Sequence, residues 1–502
     1  MEHEVFLAQA LFGSGQYWIL LTTALIFGFY MAWSIGANDV ANAMGTSVGS
    51  GALTLKQAIV VAGVLEFVGA FLVGPHVSAT IRKDIIPIDA LQEILGDDGA
   101  SLYVYGMLAS LLAAAVWLMV ATFYGLPVST THSIVGAVLG FGMVVLWGHW
   151  DKILWGKVGG IVSSWVLSPL TSGLLAFAIF SVIQRLVLFQ RDMVSAAKRV
   201  APFLVFAVFE VITLVTLWKG LKHIHLDLTD AQAVLLATVI SVVVAIFSVF
   251  LLRRIKVPVE SGSPTSRSQN PLIAEELAKI HQRLGKMGKI AHGEVEERLT
   301  QLRDQVNAVQ SSVVETDVSD VGKWGTPEIR TTEKIFAYLQ IISACAVAFA
   351  HGANDVANAV GPLGGVIAVL QADSLGDAAV LDTGWLLAVL ALGGVGIVVG
   401  LGTWGWRVIE TIGRKITELT PTRGFAAEFG AAATILVASK SGMPISTTHT
   451  LVGAVLGVGF ARGIGALNLR VVRDIVLSWL VTLPAGAGLA ILFFFILKAI
   501  FA

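Results

Sequence analysis

Gly36-Ala37-Asn38-Asp39-Val40-Ala41-Asn42-Ala43 returns letter for letter as Gly352-Ala353-Asn354-Asp355-Val356-Ala357-Asn358-Ala359. A second motif follows each copy. Gly125-Leu126-Pro127-Val128-Ser129-Thr130-Thr131-His132 in the first half matches Gly442-Met443-Pro444-Ile445-Ser446-Thr447-Thr448-His449 in the second. Both run on into Val-Gly-Ala-Val-Leu-Gly, at 135–140 and 452–457. Ser164-Trp165 with Pro169, and Ser478-Trp479 with Pro484, make a third echo. Motifs repeated at nearly the same offset mark an internal duplication, and the apolar runs around them say what was duplicated.

Those runs lie near 18–33, 57–75, 104–124, 128–147, 158–184, 201–218, 232–252, 334–352, 384–406, 425–439, 446–461 and 474–500, which reads as about twelve membrane spans. Composition agrees: 56% of the 502 residues are hydrophobic and 13% charged, whereas a soluble domain carries about 25% charged residues. Mean hydropathy is +0.80. The 52 glycines fall inside apolar runs, where they let helices approach closely. A net charge of -1 removes the bulk electrostatic case for nucleic-acid binding, and one cysteine, Cys345, excludes an intrachain disulfide framework or a cysteine zinc cluster. The first run has no preceding basic region and no small-residue cleavage site, so it reads as a spanning helix rather than a removable signal.

Basic residues orient the spans. None precedes Lys56. Arg185, Arg191, Lys198 and Arg199 cluster after the fifth run, and Arg253, Arg254 and Lys256 after the seventh. Arg407, Arg414, Lys415 and Arg423 follow the ninth, and Arg462, Arg470 and Arg473 the eleventh. All share one side if the N-terminus is outside, so the positive-inside rule puts both termini outside and the central linker in the cytoplasm. Arg82 and Lys83 fall on the outer side, among Asp84, Asp89, Asp97 and Asp98. Seven spans separate the start of one copy from the start of the next, and an odd number inverts the second copy. The expected fold is therefore an all-α polytopic membrane protein of about twelve transmembrane helices. It has 5+5 inverted-topology repeats, two intervening spans, and re-entrant or broken helices. The first repeat is 1–185, the intervening helices 186–258, a cytosolic linker 259–333 and the second repeat 334–502.

The linker opens on flexible Ser261-Gly262-Ser263-Pro264-Thr265-Ser266. Ile273, Leu277, Ile280, Leu284 and Met287, then Leu299, Leu302, Val306, Val309 and Val313, recur at three- and four-residue steps. That predicts two amphipathic helices broken near His292-Gly293 and packed on each other.

Asp39 and Asp355 lie at the ends of apolar runs, flanked by Asn38, Asn42, Asn354 and Asn358. A carboxylate at bilayer depth costs about 2.5–3.5 kcal/mol and needs a partner or water. No Lys or Arg stands inside either motif, so cations from solution are the natural partners, held by Asp, Asn and backbone oxygens. Gly36 and Gly352 are expected to let the helix unwind and expose carbonyls. The bland alternative is that both aspartates cap helices at the membrane surface. Each Ser-Thr-Thr triplet follows Gly-x-Pro, which should close one helical arm and open another. Hydroxyls and free N–H groups there make a neutral cradle for a tetrahedral oxyanion, beside the alternative of simple capping. Inversion brings 129–131 from the inner side and 446–448 from the outer side, so that both can meet near the midplane. Glu66 and Glu428 also sit inside apolar runs and are candidate cation or proton sites, or structural carboxyls. They are not repeat-equivalent, since Glu66 aligns with Ile397 and Glu428 with Leu111. His132 and His449 lack metal-ligand spacing and read as packing at helix starts or as bonding behind the site. Gly136, Gly140, Gly453 and Gly457 read as close-packing positions.

At the doubled Gly-Ala-Asn-Asp-Val-Ala-Asn-Ala motif the sequence resembles the inorganic phosphate transporter (PiT) family, over essentially the whole chain outside 259–333. The stretch Gly36 to Thr54 looks like its sodium-dependent branch. The resemblance implies a non-enzymatic symporter that imports inorganic phosphate with sodium as co-substrate, by alternating access and without a cofactor. It implies phosphate contacts from Asp39, Asp355 and the triplets Ser129-Thr130-Thr131 and Ser446-Thr447-Thr448. It also implies sodium contacts from Asn38, Asp39, Asn42, Asn354, Asp355 and Asn358. The setting is the lipid bilayer of the plasma or inner membrane, and a homodimer is the candidate assembly. A sulfate or proton-coupled permease of the same fold is the nearest alternative. A channel would want a ring-lined hydrated path, and an intramembrane aspartyl protease would want unlike flanks around its aspartate dyad.

Overall fold

The computed structural model describes residues 6–83, 85–96, 98–217, 228–255, 271–288, 293–314, 326–372, 381–409 and 416–501. The Ser261–Ser266 lead-in, His292, Asp84, Asp97, Lys256, Arg414 and Lys415 lie outside them. All the described regular structure is helical: α1 Phe6–Ser50, α2 Leu55–Val73, α3 Pro75–Lys83, α4 Ile88–Leu95, α5 Asp98–Phe123, α6 Thr130–Val145, α7 Trp155–Ile183, α8 Met193–Val215, α9 Asp230–Arg253, α10 Pro271–Gly288, α11 Glu294–Val314, α12 Pro327–Gln371, α13 Thr383–Trp404, α14 Pro421–Lys440, α15 Thr447–Arg462 and α16 Leu469–Phe501, with short 3-10 and π turns between some. Local chemistry sets many of the starts. Thr54 with Gln57 and Thr229 with Gln232 form capping boxes on α2 and α9, and Pro327 and Pro421 open α12 and α14. Asp192 caps α8, and the hydroxyl and N–H of Ser195 hold its carboxyl below the usual carboxylate range.

The twelve apolar runs do not become twelve equal helices. Among the described residues, eight helices are long and apolar enough to cross a membrane. The runs at 128–147 and 446–461 become α6 and α15, of 16 residues each. At 1.5 Å per residue that is ~24 Å, short of the ~30 Å hydrocarbon core. Both are return arms of hairpins, α5/α6 and α14/α15, whose turns are built alike. Gly125 and Gly442 take the left-handed backbone conformation, at φ 65° and 69°. The amides of Leu126 and Met443 reach back to the carbonyls of Ala121 and Ala438, which finishes the incoming helix. Pro127 and Pro444 then stop any continuation.

α1 and α12, 45 residues each, run through the centre of the molecule and against each other. From Ala346 to Leu370 every residue of α12 is buried. The halves exchange partners around this pair: α6 packs on α16, and α15 on α7. The tight approaches come in reciprocal sets. Gly136 abuts the Leu483 backbone while Gly453 abuts that of Pro169, and Gly140 meets Ala487 while Gly457 meets Gly173. α10 and α11 pack on each other beyond the bundle, and Gly293 precedes α11.

Candidate functional site

The Asn-Asp motifs do not lie where helices end or unwind. Asp39 and Asp355 sit inside the uninterrupted helices α1 and α12, which corrects both expectations. A Cβ at Gly36 would strike the backbone of Ile397, and one at Gly352 the backbone of Glu66. These glycines therefore let α13 and α2 touch the central pair, and the helical ladder stays closed. With no opened carbonyls to contribute, the side chains must supply the chemistry.

The hairpin tips bring both triplets to those motifs, and the site is woven from the two halves. Asn42 Nδ2 donates to Thr448 Oγ1 at 2.8 Å and to Thr447 Oγ1 at 3.4 Å. Asn358 Nδ2 donates to Thr130 Oγ1 at 3.1 Å and to Thr131 Oγ1 at 3.4 Å. Thr447 donates to Asp355 Oδ2 at 2.7 Å, and Thr448 to Asp39 Oδ1 at 3.5 Å and to the Val128 carbonyl at 3.1 Å. Thr131 donates across to the Ile445 carbonyl at 3.0 Å. No side chain of the two triplets or the Asn-Asp pairs is more than 2% exposed.

Within this set the roles divide. Ser129 and Ser446 are N-caps, accepting from the amides of His132 and His449, so the capping alternative holds for the serines. The Thr hydroxyls face the Asn-Asp motifs. Asn38 grips the first tip, donating to Thr122 Oγ1 and the Leu126 carbonyl and accepting from the Val128 amide. Asn354 donates to the Ile445 carbonyl of the second tip at 2.9 Å and to Asp355 Oδ1 at 2.8 Å. Yet Asp39 Oδ2, Asn42 Oδ1, Asn354 Oδ1 and Asn358 Oδ1 are buried acceptors that no donor among the described residues reaches in hydrogen-bond geometry, with His351 Nε2 3.9 Å from Asp39 Oδ2. Orphan buried acceptors cost about 1–3 kcal/mol each, and four in one site fit hard cations bound by oxygen.

Sequence reasoning missed His351. Its Nε2 lies 2.8 Å from Asp355 Oδ2 and 3.9 Å from Asp39 Oδ2, and its Nδ1 lies 3.3 Å from Glu66 Oε1. One ligand atom each from Asp39, His351 and Asp355 fall within 4.8 Å of one another. The partner for the aspartates thus stands one turn before Asp355 on the same helix. A signal existed: Ile35 holds the matching position in the first copy, so His351, like Glu66, is a titratable departure from the repeat.

Glu428 lies in a separate polar nest. Thr46, Ser47 and Gln340 Nε2 donate to its Oε1 at 2.6, 2.6 and 3.0 Å, and Ser343 to its Oε2 at 2.6 Å. His132 and His449 meet ring to ring, with centroids 4.4 Å apart, and each lies against a tryptophan, Trp165 and Trp479. They pack behind the triplets, as their spacing suggested.

The profile of the phosphate transporter family matches residues 35–490. A Chlamydia pneumoniae protein whose name designates a candidate phosphate permease is 44% identical over 483 residues, covering 96% of this chain and 99% of that one. The chloroplastic inorganic phosphate transporter 2-1 of Arabidopsis thaliana is 43% identical over 484 residues, covering 96% of this chain and 73% of its own. A solved structure described as the sodium-dependent phosphate transporter superposes with a TM-score of 0.74 at 35% identity, covering 96% of this chain and all of that one.

Proposed function

The chain belongs to the phosphate transporter family, a family of membrane transporters rather than enzymes, and from that premise we propose that it imports inorganic phosphate with sodium as a secondary active symporter. The observation that carries the sodium reading is the set of four orphan acceptors, Asp39 Oδ2, Asn42 Oδ1, Asn354 Oδ1 and Asn358 Oδ1, beside the two threonine pairs. Sodium takes the oxygens. Phosphate takes the Thr130, Thr131, Thr447 and Thr448 hydroxyls and the first amides of α6 and α15, where the helix dipoles favour an anion.

Charge balance supports the pairing. Asp39, Asp355 and Glu66 bring three carboxylates against one imidazole, and adding phosphate without cations would crowd like charges in a buried site. Importing a monovalent anion against an inside-negative potential costs about 2.3 kcal/mol per 100 mV, and two accompanying sodium ions reverse that sign. Glu428, with four donors around it, is a further cation or proton site, and Glu66 acts through His351.

In this reading the two copies are inverted repeats. α5/α6 enters as a re-entrant hairpin from outside and α14/α15 from inside, both termini are outside, and α10/α11 is cytoplasmic. Alternating access moves the paired tips relative to the α1/α12 core. Labelled-phosphate uptake in liposomes tests this, with sodium and proton gradients imposed separately and sulfate as competitor. Uptake driven by sodium alone and indifferent to sulfate is expected, and uptake indifferent to membrane potential would sink the two-sodium stoichiometry. His351 between Glu66 and Asp355 favours proton coupling as the second reading, which uptake driven by a proton gradient without sodium would select.

A further inference from the structure

A cavity of about 520 Å³ lies under the first hairpin tip, outside the central site. Tyr124 and Pro127 of the tip form one wall, Trp406 and Arg407 another, and Asp474 and Ile475 of α16 a third. Arg407 is unusual among the basic residues. Its guanidinium carbon lies 5.4, 5.1 and 5.3 Å from the ring centroids of Phe123, Trp404 and Trp406, and Nη1 donates to the Phe123 carbonyl at 3.3 Å. Nε is buried without an acceptor, and among the described residues no carboxylate pairs with this side chain. A guanidinium has five donors in a fork that matches two phosphate oxygens. Here the aromatic walls hold the fork in place, and the carboxylate that lines the cavity, Asp474, is paired with Arg473 at 2.8 Å rather than with Arg407.

Position gives the charge a use. Residues 124–127 line the cavity, and the very next residues are Val128, bonded to Asn38 and Thr448, and the triplet 129–131. One loop therefore separates the cavity from the central site. An interfacial Arg that only anchors the chain would serve as well on any lipid-facing helix; this one stands at the tip that must move for an anion to pass.

We propose that this cavity is a second oxyanion site, in which Arg407 binds a phosphate group next to the central site. The group can be free inorganic phosphate held on its way past the tip, or the headgroup of an anionic lipid. The transport role rests on the symport reading above, but binding at Arg407 requires no sodium, so the two fail separately.

The test is equilibrium binding of labelled inorganic phosphate to the full chain in phosphatidylcholine nanodiscs, with and without sodium, repeated in discs containing phosphatidylglycerol. The wild type is expected to show a sodium-independent, salt-sensitive component besides the sodium-dependent one. Arg407→Gln weakens that component by about tenfold or more and leaves the sodium-dependent one intact, as loss of a charge-assisted contact should. Arg407→Lys retains most of it. Loss of the component from the wild type only in phosphatidylglycerol discs assigns the site to the lipid headgroup. Sodium-independent binding equal in wild type and Arg407→Gln, or its absence in both disc types, overturns the proposal. So does loss of both components in both variants, which makes Arg407 a structural support.

Discussion

His351 Nδ1 stands 3.3 Å from Glu66 Oε1 in the wholly buried centre of the molecule, while Nε2 of the same ring faces Asp355 Oδ2 at 2.8 Å. Neither residue has a counterpart in the other copy, where Ile35 and Ile397 stand instead. Each half thus contributes one residue that the repeat does not share, an acid from the first and a base from the second, and the two meet beside the shared site. This asymmetry gives the two aspartates unlike surroundings.

Removing one member of a buried polar pair leaves the other without its partner, at about 1–3 kcal/mol. Glu66→Gln and His351→Gln should each lower thermal stability and phosphate uptake strongly. The double variant should lose clearly less than the sum of the two, because neither partner is left alone. Unfolding of the purified proteins, analysed as a double-mutant cycle, measures the coupling; strict additivity would show that the 3.3 Å contact carries no energy.

The aspartates should differ in sodium response. Asp355 is already bonded by Thr447 and Asn354 and faces His351 at 2.8 Å, whereas Asp39 has one long bond from Thr448 and stands 3.9 Å from His351. Asp39→Asn should therefore raise the half-saturating sodium concentration by about tenfold or abolish uptake, as loss of a charged ligand does. Asp355→Asn should act more on folding stability, since it breaks several contacts at once. Sodium titrations of uptake beside melting curves decide; an Asp39→Asn protein with wild-type sodium dependence would remove this residue from the ion site.

The duplication and the turns at the two tips were legible because repeated letters and Gly-x-Pro are local signals, whereas the runs beside those turns read as full spans and α6 and α15 are too short for one. Gly125 and Gly442 close the two tips in the way their sequence suggests. The course of the helix through the motif was not legible. Gly36 reads equally as a break and as a close-packing point, and only the backbone of Ile397 lying against it decides. Asn38 shares its motif with Asn42, and only the structure shows that its side-chain oxygen and nitrogen are both engaged by the 122–128 segment. His351 carries no repeated letter to mark it, since Ile35 stands opposite, and its place is set only by the approach of Glu66 and Asp355 in the fold.

The triplets offer a separation of capping from binding. Ser446 bonds the His449 amide as an N-cap, so Ser446→Ala should cost about 1 kcal/mol of stability and leave the half-saturating phosphate concentration within about twofold. Thr448 faces Asp39, Asn42 and Val128, so Thr448→Val keeps the shape, removes the hydroxyl and should raise that concentration by about tenfold. The comparison is made by phosphate titration at saturating sodium. A serine variant with the larger kinetic effect would reverse the assignment.

Glu428 supplies the remaining test, because its nest allows two accounts. Thr46, Ser47, Ser343 and Gln340 could hold the carboxylate as a purely structural knot, since four donors satisfy it without a cation. The same four residues carry oxygens that could turn toward a bound ion beside the carboxylate. Glu428→Gln keeps the volume and loses the charge, and should cost about 1–3 kcal/mol of stability under either account. Only the ion-binding account also predicts a shallower dependence of uptake on sodium with an unchanged half-saturating phosphate concentration, because one coupled cation is lost while the triplets are untouched. Uptake measured against sodium at fixed phosphate separates the two: a destabilised variant with the wild-type sodium curve makes Glu428 a strut between α14, α1 and α12.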